Sequence, residues 1–194
     1  FSELKHSNLN LPILFGAQDC HHEKQGAYTG SVSAQMISEM LCTHVIVGHS
    51  ERRLGFGETD DLVKQKASAA IESGLHPIIC IGESLSDRAN IRDVLLRQCE
   101  HSCPDFGKYT IAYEPVWAVG TKIAINIDVI SETINSLKNH VSVPIIYGGS
   151  VNQNNAEMVA SIKNISGLLI GGASLDAKHF AAIVKSVANS FHLK

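Results

Sequence analysis

Six short apolar runs recur along this 194-residue chain: PILFGA from Pro12, HVIVG from His44, PIICIG from Pro77, YTIAYE from Tyr109, VPIIYGG from Val143 and GLLIGG from Gly167. The first five begin about 32 to 34 residues apart, the length of a strand–helix–strand unit, and the last follows after about 24. The runs are rich in β-branched residues and nearly all apolar, as parallel strands covered on both faces are. Amphipathic patterns fill the gaps. Residues 33–41 open on a capping serine. Residues 60–73 put Leu62, Val63, Ala67, Ala70 and Ile71 on one face before Gly74 stops the helix. Residues 88–101, 128–141, 155–163 and 177–191 follow the same plan. No linker, low-complexity tract or charge run marks a second unit, so residues 1–194 read as one domain.

Strict alternation predicts an α/β fold with a parallel sheet, either open and doubly wound or closed into a (β/α)₈ barrel. No GxGxxG or Walker phosphate loop is present. Candidate polar groups stand instead at the ends of several different strands, as they do on the carboxyl face of barrels.

The most informative strand end is that of residues 109–121. The apolar run closes on Glu114, and Pro115 biases that glutamate away from helical geometry. Residues 115–121 carry the only tryptophan, Trp117, between a stiff start and the permissive Gly120. A carboxylate under an apolar closing loop suits a general base shielded from water. Taken alone, a Glu-Pro step also reads as a solvated turn. After HVIVG comes His49-Ser50-Glu51-Arg52-Arg53. A helix starting at Ser50 would aim free N–H groups at His49 and disfavour an imidazolium, leaving a neutral hydrogen-bond donor. A structural histidine, with Glu51 and Arg53 as a surface ion pair, is the plainer alternative. Gly148-Gly149-Ser150 and Gly171-Gly172-Ala173-Ser174 close the last two runs. Together with Gly120 they let backbone N–H groups converge on an anion, where barrels hold phosphate.

Composition excludes some classes. A formal charge of −3 at pH 7 argues against nucleic acid as a partner. The polar start has no run long enough for a signal peptide or membrane span, so no membrane partner is expected. The five cysteines form no CxxC pair and suit a reducing, cytoplasmic compartment. Cys99 and Cys103 lack a second ligand pair at a zinc spacing, and His21-His22 reads as an exposed turn. No metal site is expected.

The combined motifs resemble the triosephosphate isomerase family over essentially the whole chain. The resemblance rests on Gln18-Asp19, Gly26-Ala27-Tyr28-Thr29-Gly30, Val47-Gly48-His49-Ser50-Glu51-Arg52-Arg53 and Cys80-Ile81-Gly82-Glu83. It continues through Tyr113-Glu114-Pro115-Val116-Trp117-Ala118-Val119-Gly120-Thr121, Tyr147-Gly148-Gly149-Ser150-Val151 and Gly171-Gly172-Ala173-Ser174-Leu175. The family's glutamate base and neutral histidine are themselves a standard illustration of environment-tuned acid–base groups.

The resemblance implies a TIM barrel that interconverts dihydroxyacetone phosphate and glyceraldehyde 3-phosphate in glycolysis and gluconeogenesis, with no cofactor. Glu114 would be the base and His49 the electrophile, with Ser50 and Glu51 in support. Residues 115–121 would form the lid, and Gly120, Ser150, Gly171 and Gly172 would hold the substrate phosphate. Thr29 would reach a partner subunit of a homodimer.

The chain departs from the family in two places. Lys122 stands where the family usually has a glycine. Only about six strand–helix units, the third to eighth, are visible, with residues 1–11 as the tail of the second helix. The family's first-strand asparagine and lysine have no counterpart, and neither Lys5 nor Lys122 lies on a matching strand end. A transition state gathering negative charge wants such a cation, so the chain as it stands is expected to show little activity. Unpaired strand edges are an expected aggregation site. Three readings follow: an N-terminally incomplete isomerase, a non-catalytic remnant acting as an interaction or scaffold protein, and a different phosphate-binding barrel isomerase.

Overall fold

A computed structural model describes residues 13–118 and 126–192. Six parallel strands form one sheet: β1 (Gly16–Ala17), β2 (His44–Val47), β3 (His76–Ile81), β4 (Thr110–Tyr113), β5 (Ile145–Tyr147) and β6 (Gly167–Leu168). Their order in the sheet is their order in the chain. A doubly wound sheet reverses its order at a switch point. Sequential winding is that of a (β/α)₈ barrel, of which the described residues supply six strands.

The helices are α1 (Ala34–Glu39), α2 (Ser50–Phe56), α3 (Asp60–Glu72), α4 (Ile91–Ser102), α5 (Ile127–Lys138), α6 (Ala156–Ala160) and α7 (Ala177–His192). Side-chain caps set several starts. Ser33 Oγ accepts the Met36 N–H at 3.3 Å, and Thr59 Oγ1 accepts that of Leu62 at 3.2 Å.

Strand residues alternate between two environments. Val45, Val47, Ile79, Ile81, Ile111, Tyr113 and Ile145 are buried in one core with Val63, Ala67, Ala70, Leu95, Ile130 and Ile134 from the helices. Their neighbours Ile46, Ile78 and Ile146 are only half-buried. The period of two sends those side chains to the other face.

Burial also takes in a charged cluster around α3. Lys66 on α3 and Glu58 just before it are buried, the lysine Nζ donating to Glu58 Oε1 at 2.5 Å and to Asp19 Oδ1 at 2.7 Å. Arg52 Nε joins them, 2.5 Å from Glu58 and 2.9 Å from Asp19. Burial alone would push the Glu58 carboxyl up, but Lys66 and Arg52 outweigh it and hold it below its usual range.

Candidate active site at the carboxyl end of the sheet

Glu114 follows β4 directly. Its N–H donates to the Ile81 carbonyl at 2.8 Å, and Gly148 N–H reaches the Tyr113 carbonyl at 2.8 Å. The residue is therefore gripped between β3 and β5 and is 1% exposed. Glycine at position 82 permits this approach, because a Cβ there would overlap the Glu114 carbonyl. Gln98 secures that glycine from both sides, accepting its N–H at 2.8 Å and donating to its carbonyl at 3.0 Å.

His49 reaches the same point from β2 as the N-cap of α2. Its Nδ1 accepts the Glu51 N–H at 3.3 Å. An accepting nitrogen carries no proton, so the network assigns a neutral ring protonated at Nε2. That Nε2 stands 3.2 Å from Glu114 Oε1. The other carboxylate oxygen, Oε2, accepts the Ser50 N–H at 3.2 Å. Oε1 itself has no hydrogen-bond partner among the described residues, since His49 lies close but off the bonding direction. Burial pushes the Glu114 carboxyl up. His49, the Ser50 N–H, the Cys80 thiol and Arg53 pull the other way without cancelling it. The result is a carboxylate with one oxygen anchored and one available, more basic than in water.

Arg53 holds this assembly from behind. Its Nε donates to the Gly48 carbonyl at 2.7 Å, Nη1 to Asp60 at 2.6 Å, and Nη2 to the Cys80 carbonyl at 3.1 Å and Ser102 Oγ at 3.2 Å. Gly48 sits at φ +69, and a Cβ there would meet Val63 at 2.7 Å. The expected surface pair of Glu51 and Arg53 does not form: Arg53 turns inward, while the Glu51 side chain is 83% exposed. Glu51 meets His49 through its backbone N–H, with its carboxylate Oε2 3.9 Å from the same ring nitrogen. His21 and His22, expected in an exposed turn, are half-buried, their rings stacked 4.5 Å apart with Tyr28 against His21.

After Pro115 the chain forms a single turn, Val116–Ala118. Trp117 Nε1 donates to Glu83 at 2.8 Å, and the Arg88 guanidinium lies 4.3 Å from the indole centre. Ser150 Oγ donates to the Ala118 carbonyl at 2.7 Å. Gly120 and Lys122 lie outside the described residues, as does Lys5. Gly171 and Gly172 are exposed at the turn Gly172–Ser174, with open space where a Cβ would stand on either. Thr29 is exposed in its own turn. Among the described residues no three His, Cys, Asp or Glu side chains gather to hold a metal, and no helix is long and apolar enough to cross a membrane.

Parallel strands wound in sequence, with a buried glutamate and a histidine meeting at the ends of β2 and β4, place the chain in the class of (β/α)₈-barrel proteins. The family model described as triosephosphate isomerase matches residues 1–187, and the chain belongs to that family. A triosephosphate isomerase of Wolbachia pipientis wMel is 50% identical over 188 residues, covering 95% of this chain and 76% of the relative. That of Ehrlichia chaffeensis is 48% identical over 180 residues, covering 91% and 75%. The crystal structure of the Bartonella henselae triosephosphate isomerase superposes with a TM-score of 0.83 at 40% identity, over 91% of this chain and 78% of that one.

Proposed function

We propose that this site interconverts dihydroxyacetone phosphate and D-glyceraldehyde 3-phosphate through an enediolate. Glu114 Oε1 takes a proton from the carbon beside the carbonyl and returns it to the neighbouring carbon. His49 Nε2–H donates to the carbonyl oxygen and stabilises the charge that develops there. The observation that carries this reading is the 3.2 Å separation of His49 Nε2 from Glu114 Oε1, with the histidine's other nitrogen accepting an N–H. A substrate whose reacting carbons lie over this pair meets base and donor at once.

The raised carboxyl of Glu114 suits the role, because a base nearer in strength to the substrate transfers protons more efficiently. The N–H groups of Gly171 and Gly172, with Gly120 and Ser150, cradle the phosphate. Residues 115–121 close over it and keep water from the enediolate. The reaction belongs to glycolysis and gluconeogenesis in the cytoplasm. Thr29, exposed on its turn, meets the second subunit of a homodimer.

The test is isomerisation in a coupled dehydrogenase assay, run on this chain and on the chain joined to the family's first-strand segment. Turnover in either that falls about 1,000-fold in Glu114→Gln supports the reading. Turnover that survives Glu114→Gln, or none in either protein, removes it.

A further inference from the structure

Past Ile81 the chain of β3 runs on as Gly82-Glu83, and past Tyr113 that of β4 runs on as Glu114-Pro115-Val116. Two hydrogen bonds tie these extensions together. Glu114 N–H donates to the Ile81 carbonyl at 2.8 Å, and Val116 N–H to the Glu83 carbonyl at 3.0 Å. Gly82 lies between the two acceptors. On the other side of β3, β2 stops at Val47, opposite Ile79 and short of Gly82. A side chain from α4 serves Gly82 instead: Gln98 Oε1 accepts its N–H at 2.8 Å, and Gln98 Nε2 donates to its carbonyl at 3.0 Å. The Gly82 N–H and the Ile81 carbonyl belong to one planar peptide group and cannot turn independently. Gln98 therefore bonds one edge of that plane and Glu114 N–H the other.

We propose that Gln98 is a positioning residue for the isomerisation, holding through the Ile81–Gly82 peptide the backbone from which the Glu114 carboxylate reaches His49. The inference rests on Glu114 being the base. The 3.2 Å between Glu114 Oε1 and His49 Nε2 depends on where β4 delivers Glu114. Glu114 in turn is fixed by the Ile81 carbonyl and by backbone contact with Gly82, where a Cβ would overlap it. When the clamp is lost, the Gly82 peptides tilt toward water and the Ile81 carbonyl carries Glu114 with it. The task calls for glutamine because an amide sets an acceptor beside a donor. Methionine has similar length and neither group. A carboxylate keeps the acceptor but turns a second oxygen on the Gly82 carbonyl, whereas a protonated carboxyl again has acceptor and donor.

The test measures kcat and KM for Gln98→Met, Gln98→Glu and Glu114→Gln, in this chain and in the chain joined to the family's first-strand segment. Circular dichroism checks that each is folded. Gln98→Met should lower kcat about 100-fold, as a displacement of about 1 Å does, with KM nearly unchanged. Gln98→Glu should also lose kcat at neutral pH, then recover relative to the parent as pH falls and its carboxyl protonates. Gln98→Met, which keeps the same Glu83 and Glu114, should show no such recovery. Should Gln98→Met fail to fold, the recovery of Gln98→Glu decides. An unchanged kcat in either variant at neutral pH, or a Gln98→Glu deficit constant with pH, overturns the positioning role. Turnover that survives Glu114→Gln removes the base, and this inference with it. Proton NMR of this chain gives a readout free of turnover: Gln98→Met should move the Glu114 amide signal upfield as its bond to Ile81 lengthens. An unmoved Glu114 amide overturns the role.

Discussion

The indole N–H of Trp117 donates to the buried carboxylate of Glu83 at 2.8 Å, so the turn Val116–Ala118 is fastened to the loop after the neighbouring strand. Tyr113 OH points at the same oxygen from 3.4 Å, and the second oxygen, Oε2, has no hydrogen-bond partner among the described residues. Burial pushes the Glu83 carboxyl up, against the pull of Trp117 and its neighbours. Trp117 is the nearer of the two side-chain donors that reach this oxygen, at 2.8 Å against 3.4 Å for Tyr113.

Trp117→Phe should therefore cost about 1 to 3 kcal/mol, more than a neutral surface bond, because it strips a donor from a buried carboxylate. Urea unfolding measures the loss. Glu83→Gln keeps an acceptor for the indole and should cost less than Trp117→Phe.

Glu114 and Glu83 both have carboxyls raised by burial, so folding favours their protonated forms. Their contribution to stability is full below the ordinary carboxyl value of 4.5 and is lost as pH rises through the higher folded value. Glu114→Gln should accordingly raise the urea midpoint at neutral pH. The gain should shrink as pH falls toward 4.5. A midpoint difference that is constant with pH would show that the carboxylate is not held at a cost.

Arg53 makes four hydrogen bonds with three nitrogens, and lysine cannot reproduce that fork. Arg53→Lys should destabilise by about 3 kcal/mol, since it leaves the Gly48 carbonyl, Asp60 and Ser102 partly unpaired. By contrast, Glu51→Ala should change stability by no more than about 0.5 kcal/mol, because its side chain is 83% exposed, stands 3.9 Å from His49, and the backbone N–H bond to that ring is kept. The two urea midpoints, compared side by side, separate the inward cation from its exposed neighbour.

Much of this was legible in the residues. The strand–helix period located every strand of the sheet, and Glu-Pro and His-Ser-Glu marked the two strand ends that meet. What the pattern could not show were partners far apart in sequence. Arg53 looked like half of a surface pair because its real partners lie at Gly48, Asp60, Cys80 and Ser102, brought together only by packing of α2, α3 and α4 against β2 and β3. Lys66 falls on the buried face of α3 between Val63 and Ala70, and Glu58 and Asp19, distant from it in sequence or outside the helix, neutralise it there. Helix α2 is short and polar, and Leu54 and Phe56 on it are exposed, so no apolar stripe announces it. The edge strands β1 and β6 run two residues each, far less than their apolar runs suggest, because strand length is set by pairing partners.

The most direct test of the account is nitrogen-15 NMR of the His49 ring at neutral pH. The geometry predicts a neutral imidazole with Nε2 protonated and Nδ1 bare, its Nε2 3.2 Å from Glu114 Oε1. Chemical shifts showing Nδ1 protonated, or both nitrogens protonated, would contradict it, because His49 would then be the wrong tautomer or a cation paired with Glu114.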